Sequence, residues 1–385
     1  MKIVIAPQTF KGSISALDVA KAMRDGIQME LEDAKVELVP VADGGDGTLE
    51  TLVEISNGEI KSADVTGPLG EKRTAEWGAM GDGHTAVIEM ARTSGLALVP
   101  MEPLDRRDPL KATTYGLGEA IKAALDEGHR RFIIGIGGSA TNDAGAGMAQ
   151  ALGISLKDAH GNELPYGGAA LADLESVDLS GLDPRAQECE IMVACDVNNP
   201  LTGPEGASAI FGPQKGATAA MVAQLDDALG NFADVVKRDI GADINDMMGA
   251  GAAGGLGGGM VAFLGAELAP GVDIVLDTVE FDKYLEGADL VLTGEGALDS
   301  QTVYNKAPIG VARRASQRSI PVIAISGTLG DGYHVVHDHG ISAATAIPNA
   351  PMTLETASAN AAALISDATR QVMRMLKVGG RVLGN

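Results

Sequence analysis

Short apolar runs alternate with segments of helical periodicity at both ends of the chain. Residues 2–7 and 36–41 are apolar runs of strand length, and residues 16–32 between them repeat apolar side chains every three or four positions. Ser15 and Asp18 fit a capping box at the start of that helix. Further apolar runs precede a closing amphipathic segment, at 290–292, 321–325 and 343–347. This alternation is typical of a parallel sheet covered by helices.

The middle of the chain has a different pattern. Residues 59–90 form short alternating pieces separated by glycine and proline, which predicts antiparallel hairpins. Buried-type strands follow at 132–136 and 191–194. Because 385 residues exceed what one core usually holds, we expect two α/β domains. One is a discontinuous, doubly wound flavodoxin/Rossmann-like parallel-sheet domain, residues 1–61 plus 281–385, and the other is an inserted α/β domain with a mixed sheet, residues 62–280.

Composition narrows the classes of partner. A net charge of −23 argues against nucleic acid and anionic membranes, which need basic surface. No apolar stretch approaches the ~20 residues of a membrane helix, and the N-terminal apolar run is short enough to be a first strand and not a signal peptide. Cys189 and Cys195 are expected to be free thiols. We therefore expect a cytoplasmic protein.

A glycine-rich stretch at 132–153 is the first candidate for chemistry. A predicted strand leads into Gly137, Gly138 and Ser139, and a helix is expected to begin near residue 144 with Asn142 or Asp143 as its N-cap. A strand, a glycine turn and a helix N-terminus in this order can bind phosphate through backbone N–H groups. The alternative is a tight connection in which glycine only permits the turn.

The same stretch also matches a dinucleotide fingerprint, with alanine at the last position, Ala140. The acidic residue at the expected distance, Asp158, lies in a polar segment and does not end a second strand. A nicotinamide-dependent oxidoreductase is kept as an alternative on this basis. The sequence contains no Walker A pattern.

Polar side chains recur in the loops that follow predicted strands, although no core requirement places them there. They are Lys11, Asp43, Asp46, Ser139, Asn142, Asp143, Asp196, Asn198, Glu295, Asp299 and Gln301, and Lys215 and Lys306 occupy similar loop contexts. In open α/β sheets, ligands bind beyond the carboxyl ends of the strands. Carboxylate and amide oxygens suit Mg²⁺, and lysines with glycine turns suit phosphates. These are the components of phosphoryl transfer.

These motifs resemble those of the bacterial glycerate kinases of the first type, along the whole chain. The segments that carry the resemblance are 9–13, 42–48, 135–145, 195–203, 211–217, 251–257, 293–302 and 306–312. The resemblance implies ATP-dependent phosphorylation of D-glycerate with Mg²⁺, on the 2-hydroxyl group to give 2-phosphoglycerate. It also implies two α/β domains with the active site in the cleft between them. Asn305 stands where glycine is common, and it tolerates the left-handed conformation.

Within that resemblance we assign candidate roles. Asp43, Lys11 and Asp196 are the catalytic candidates, with Asp43 as the base for the glycerate hydroxyl and Lys11 for its carboxylate or a phosphate. The metal candidates are Asp196, Asn198 and Asp299, with Glu295 as an alternative. The substrate- and phosphate-binding candidates are Asp46, Gly137, Gly138, Ser139, Asn142, Lys215, Glu295, Gln301 and Lys306. The alternative for each aspartate is helix capping, and for each glycine turn geometry.

The expected partners are ATP and D-glycerate, and assembly into a homo-oligomer is left open. A third hypothesis is a non-enzymatic sensor that binds a sugar acid. It is less suited to this sequence, because a sensor for an anion has little use for carboxylates at its strand ends. Domain closure on the substrates is expected, with hinges near residues 58–66 and 278–284.

Overall fold

A computed structural model describes residues 1–45, 47–99 and 107–384. The chain divides into two compact units, here called unit 1 (Met1–Asp43 and Val272–Asn385) and unit 2 (Gly44–Gly271). The sequence-based boundaries were 61/62 and 280/281, whereas the chain passes between the compact units at 43/44 and 271/272. The helix that follows the second strand therefore belongs to the inserted unit.

The strands, in chain order, are β1 (Lys2–Pro7), β2 (Lys35–Leu38), β3 (Glu59–Thr66), β4 (Lys72–Ala79), β5 (Thr85–Glu89), β6 (Arg131–Gly135), β7 (Ser155–Lys157), β8 (Ser176–Asp178), β9 (Glu190–Ala194), β10 (Glu267–Ala269), β11 (Leu290–Gly294), β12 (Ala297–Leu298), β13 (Val322–Ser326), β14 (Thr328–Leu329) and β15 (Ala343–Ala346). The α-helices are α1 (Ala16–Gln28), α2 (Thr48–Ile55), α3 (Ala91–Ser94), α4 (Tyr115–Asp126), α5 (Ala146–Ala151), α6 (Ala207–Phe211), α7 (Ala219–Ile240), α8 (Leu256–Leu264), α9 (Gly271–Thr278), α10 (Phe281–Leu285), α11 (Ala307–Ser316), α12 (Leu354–Ala359) and α13 (Ala361–Leu383).

Unit 1 contains a parallel sheet with the strand order β15-β13-β11-β1-β2. Its central strands β1, β11 and β13 are almost wholly buried, as expected for apolar runs covered on both faces. Ser15 caps α1 by accepting the Asp18 backbone N–H, as the sequence predicted. Helices α1 and α13 pack closely because Gly26 lacks a side chain: a Cβ there would lie 2.3 Å from the Ser366 carbonyl oxygen.

Unit 2 contains a mixed sheet with the order β10-β9-β6-β5-β4-β3. Strands β3, β4 and β5 pair antiparallel, and β5, β6, β9 and β10 pair parallel. The predicted hairpins and the predicted buried strand before the glycine stretch are therefore confirmed. Trp77 and Phe132 lie in the core of this unit, 1% and 0% exposed.

The predicted fold class, a discontinuous parallel-sheet domain with an inserted mixed-sheet domain, is confirmed. Cys189 and Cys195 are both free, as expected. Within residues 1–45, 47–99 and 107–384, none of the helices combines the length and apolar character needed to cross a bilayer.

Candidate functional site

In unit 1, the loops after β1, β2 and β11 leave the same edge of the sheet, because these strands are parallel neighbours. They carry Lys11, Asp43 and Glu295. The loops of Lys11 and Glu295 touch: a Cβ on Gly296 would lie 3.6 Å from the Lys11 backbone nitrogen. Asp43 in turn acts electrostatically on Glu295. The structure thus brings these candidates together at one edge.

Glu295 is the buried carboxyl group at this edge, 7% exposed. The Thr302 hydroxyl donates to its Oε1 over 2.8 Å, and the Lys306 ammonium lies 3.6 Å from its Oε2. Burial raises the pKa of Glu295 to about 7; Lys306 and Thr302 oppose that rise, and the Asp43 charge adds to it. Glu295 therefore exchanges its proton near neutral pH.

The rest of the loop after β11 is held by its own side chains. Asp299 Oδ1 accepts a hydrogen bond from the backbone N–H of Gln301 over 2.7 Å. Thr302 Oγ1 accepts one from the backbone N–H of Asp299 over 3.1 Å. Asn305 has φ 55°, the left-handed conformation expected for it, and Lys306 immediately precedes α11. Within this loop Thr302 and Lys306 lie beside Glu295, and the backbone of Asp299 is joined to Thr302.

In unit 2, the candidates follow the parallel strands β6 and β9. Gly137 and Gly138, here called the glycine turn, are exposed, and Gly138 has φ 72°. The turn is held by segment 94–96, since the Gly138 carbonyl accepts the Leu96 N–H and the Ala140 N–H donates to the Ser94 carbonyl. Ser139 is buried beside the turn, 8% exposed. Main-chain groups of the glycine turn are thus open to a ligand.

The helix after the glycine turn begins later than predicted. Helix α5 starts at Ala146, not near residue 144, and its N-cap is Gly145 with φ 75°. The expectation that Asn142 or Asp143 is the N-cap is therefore wrong. Asp143 nevertheless provides hydrogen-bond acceptors for the start of α5, because its carboxylate accepts the backbone N–H groups of Gly145 and Gly147, both over 3.3 Å. The helix N-terminus is thus already occupied by a carboxylate of the protein.

The late start of α5 also argues against a dinucleotide-binding fingerprint at this turn. Its last position, Ala140, should open a helix, but residues 141–145 intervene before α5. Asn142 lies in this connection, 0% exposed, and donates from Nδ2 to Ser208 Oγ over 3.0 Å. Its side chain faces the interior and not the glycine turn's exposed surface.

The glycine-rich segment at 249–259 packs against the same connection. A Cβ on Gly254 would lie 2.0 Å from the Thr141 carbonyl oxygen, and one on Gly259 would lie 2.0 Å from that of Ala144. These distances are impossible for real atoms, so the segment has small residues because two pieces of backbone meet there. A packing role therefore accounts for its composition.

Lys215 is buried in unit 2, 2% exposed, and its ammonium donates to the Thr141 carbonyl over 2.6 Å. Burial lowers its pKa to about 7, and the nearby Asp143 charge opposes that shift. The prediction that Lys215 binds a phosphate directly is not tested by this geometry. The ammonium is hydrogen-bonded to the backbone of the protein and is not exposed at the surface.

Asp196 and Asn198 follow β9, and both side chains are exposed. Asp196 Oδ1 accepts the Gly271 N–H over 3.1 Å. Among the described residues no group of three or more His, Cys, Asp or Glu is arranged to hold a metal. Because Mg²⁺ usually takes one or two carboxylates plus water and substrate phosphates, an exposed carboxylate and amide two positions apart fit it. Asp46 lies outside the described residues.

Two charged residues beside the site were missed by the sequence reasoning. Glu89 ends the apolar strand β5, is 6% exposed, and accepts the Leu49 N–H at the start of α2 over 3.1 Å. Arg92 donates to Glu89 Oε2 over 2.8 Å and also pairs with Glu50 and Glu76. The sequence did contain a signal for Glu89, because an acidic residue at the end of a buried strand is the same pattern that identified the candidates in the other loops.

Comparisons with known proteins agree with the fold. A model of the glycerate kinase family matches residues 3–377. The chain is 51% identical over 384 residues to "Glycerate 2-kinase" of Escherichia coli K12, and the match covers 100% of both chains. It is also 51% identical over 378 residues to "Glycerate kinase" of Bacillus subtilis 168, with 98% of both chains covered. A crystal structure from Salmonella typhimurium LT2, assigned as a glycerate kinase 2, is 50% identical with a TM-score of 0.91 over 99% of both chains. Neither the oxidoreductase nor the sensor hypothesis receives support from these relatives.

Proposed function

Because the chain belongs to the glycerate kinase family, we propose that it transfers the terminal phosphoryl group of ATP to the 2-hydroxyl group of D-glycerate. The products are 2-phosphoglycerate and ADP. The observation that carries this proposal is the 51% identity along the whole chain with a relative named for the 2-position. The acids, lysines and glycine turn at the strand ends supply the chemistry that such a transfer needs.

In unit 1, we assign Asp43 as the base that takes the proton of the glycerate hydroxyl. A half-buried carboxylate beside a strand end suits this role. Glu295 is its electrostatic neighbour, and the raised pKa of Glu295 keeps part of its population protonated at neutral pH. Lys11 is exposed in the adjoining loop and is assigned to the glycerate carboxylate or a phosphate. Gln301 and Lys306 are also assigned to substrate binding. Asp46, which lies outside the described residues, keeps the same assignment on the sequence alone.

In unit 2, the exposed main chain of Gly137 and Gly138, with Ser139, is assigned to phosphate oxygens. Asp196 and Asn198 would hold Mg²⁺. Asp299, in unit 1, is kept as a separate candidate ligand. When bound, Mg²⁺ neutralises charge on the phosphate oxygens. We also propose a cytoplasmic location, which agrees with the free thiols of Cys189 and Cys195.

The test is incubation of the protein with D-glycerate, ATP and Mg²⁺, followed by ³¹P NMR without proton decoupling. A phosphate on the 2-position couples to the single C2 proton and gives a doublet, whereas a 3-phosphate couples to both C3 protons and gives a triplet. A doublet is expected. A triplet would overturn the choice of hydroxyl group, and the absence of a new phosphate ester would overturn the proposed activity. Reactions without ATP, and with EDTA, are the controls.

A further inference from the structure

Lys215 is a buried lysine to which the proposed function above assigns no contact with a substrate. It ends a short 3₁₀ helix, Pro213–Lys215, and its side chain is 2% exposed. Burying a lysine is costly unless its ammonium is hydrogen-bonded and compensated by an opposite charge. The first condition is met, because Nζ donates to the Thr141 carbonyl over 2.6 Å. The second is met in part: the Asp143 charge opposes the effect of burial, which still lowers the pKa of Lys215 to about 7, and burial also raises the pKa of Asp143.

Asp143 is itself fully buried and joins two helices. Its Oδ2 accepts the Thr114 backbone N–H over 2.8 Å and the Thr114 hydroxyl over 2.9 Å, at the start of α4. Its carboxylate also accepts the N–H groups of Gly145 and Gly147 at the start of α5. Asp143 and Lys215 therefore fix the two ends of one short stretch: Lys215 holds Thr141, and Asp143 holds the helix that follows.

That stretch is confined on its other sides as well. A Cβ on Gly254 would lie 2.0 Å from the Thr141 carbonyl oxygen, and a Cβ on Gly168 would lie 2.2 Å from that of Asn142. Thr141 Oγ1 and Asn142 Oδ1 are already buried with no hydrogen-bond partner in the described part of the chain. Removing the Lys215 ammonium would add the Thr141 carbonyl to these unsatisfied groups. The glycine turn three residues upstream would then keep only its backbone hydrogen bonds to Ser94 and Leu96.

We propose that Lys215 is a positioning residue that fixes the glycine turn through the Thr141 carbonyl and does not itself contact a phosphate. The inference rests on the proposed assignment of Gly137 and Gly138 to phosphate oxygens. It replaces a lysine–phosphate contact by a lysine–backbone contact, so the ammonium acts on the nucleotide only through the shape of the turn.

The test compares Lys215→Met with the wild-type protein in two measurements. The first is amide hydrogen exchange of the peptide spanning residues 136–145 without nucleotide, which is expected to become faster. The second is the dissociation constant for MgATP, which is expected to rise about ten- to a hundredfold, since small misplacements of binding groups have effects of this size. The KM for D-glycerate should not change. Lys237→Met, at an exposed lysine of α7 paired with Asp243, is the matched control and should change none of these.

Two outcomes would overturn the proposal. Weaker MgATP binding with unchanged exchange would make Lys215 a direct phosphate ligand. Faster exchange with unchanged MgATP binding would make its role structural only. If wild-type protein binds no MgATP, the proposed function fails, and the exchange result still reports whether Lys215 holds the turn.

A measurement on the wild-type protein covers the case in which Lys215→Met does not fold. Acetylation of lysines by acetic anhydride, read by mass spectrometry, is expected to spare Lys215 equally with and without MgATP, whereas the exposed Lys237 reacts in both. Reaction of Lys215 in the free protein and protection by MgATP would show an ammonium that faces the nucleotide, which contradicts the proposal.

Discussion

At the scale of single residues, the edge of the first sheet combines a half-buried and a buried carboxyl group. Asp43 and Glu295 interact electrostatically, but their surroundings differ: Glu295 is enclosed by Thr302 and Lys306, and Asp43 is partly open to solvent. Two acids placed in unlike environments can divide two tasks between them. Here the more accessible one, Asp43, is the proposed base.

Replacing Asp43 by asparagine is expected to lower kcat by about 10²–10⁴-fold, because a general base contributes an effect of this size. The amide keeps the shape of the side chain and cannot take the proton. Asp33→Asn, at an exposed aspartate of the same unit, is the control and should leave kcat unchanged. Steady-state kinetics with saturating D-glycerate and ATP, on protein with native circular dichroism, measures both. A decrease of less than about tenfold in the Asp43 variant would rule out the base.

The buried Glu295 also makes a prediction about stability. Burial raises its pKa from 4.5 to about 7, so the folded protein binds this proton more tightly than the unfolded chain does. The stabilisation is therefore complete below pH 4.5 and is lost as the pH rises through 7. Relative to Glu295→Gln, which does not titrate, the wild-type protein should lose up to about 3 kcal/mol between pH 4.5 and pH 8.

Urea unfolding of both proteins across this pH range measures the difference. Glu32→Gln, at an exposed glutamate, is the control and should follow the wild-type curve. If the wild-type and Glu295→Gln curves remain parallel with pH, Glu295 does not bind its proton more tightly in the fold, and the effect ascribed to burial is absent.

At the scale of secondary-structure elements, periodicity identified most strands and the long helices, because their buried faces repeat over many residues. It located the start of α1 with its Ser15 cap, and the buried strands β1, β6 and β11 within one or two residues, whereas it carried α1 four residues too far, to residue 32 and not Gln28. It failed at α5, which spans only six residues. The start of such a short helix is set by tertiary contacts, here by Asp143, whose partner Thr114 lies 29 residues earlier.

The candidate site shows the same limit. The rule that polar residues after parallel strands share an edge agrees with unit 1, where the loops of Lys11 and Glu295 touch and Asp43 acts electrostatically on Glu295. The roles of these residues in a site stay predictions. The rule cannot distinguish a buried side chain from an exposed one: Lys215 and Asn142 were both named as phosphate-binding candidates, and both are buried. Their binding role stays a prediction. It also overlooked Glu89, whose carboxylate accepts the backbone N–H of Leu49 at the start of α2, forty residues earlier in the chain.

At the scale of the whole molecule, the chain passes between its two units at only two places, residues 43/44 and 271/272. Within unit 2 these crossings lie side by side, since a Cβ on Gly44 would lie 3.0 Å from the Gly271 Cα. Asp196 holds the second crossing through the Gly271 N–H. A hinge at these crossings would therefore place a candidate metal ligand directly beside the moving backbone.

We predict that the protein becomes more compact when both substrates bind, because phosphoryl transfer to an alcohol must exclude water from the reacting phosphate. Small-angle X-ray scattering with D-glycerate and a non-hydrolysable ATP analogue should give a smaller radius of gyration than either ligand alone. Hydrogen exchange then locates the hinge: altered exchange at residues 43–45 and 271–272 supports the crossings, whereas changes confined to 58–66 and 278–284 support the sites predicted from the sequence. Identical scattering profiles in all ligand states would contradict closure itself, since a two-unit enzyme that excludes water by closing cannot keep one shape throughout its cycle.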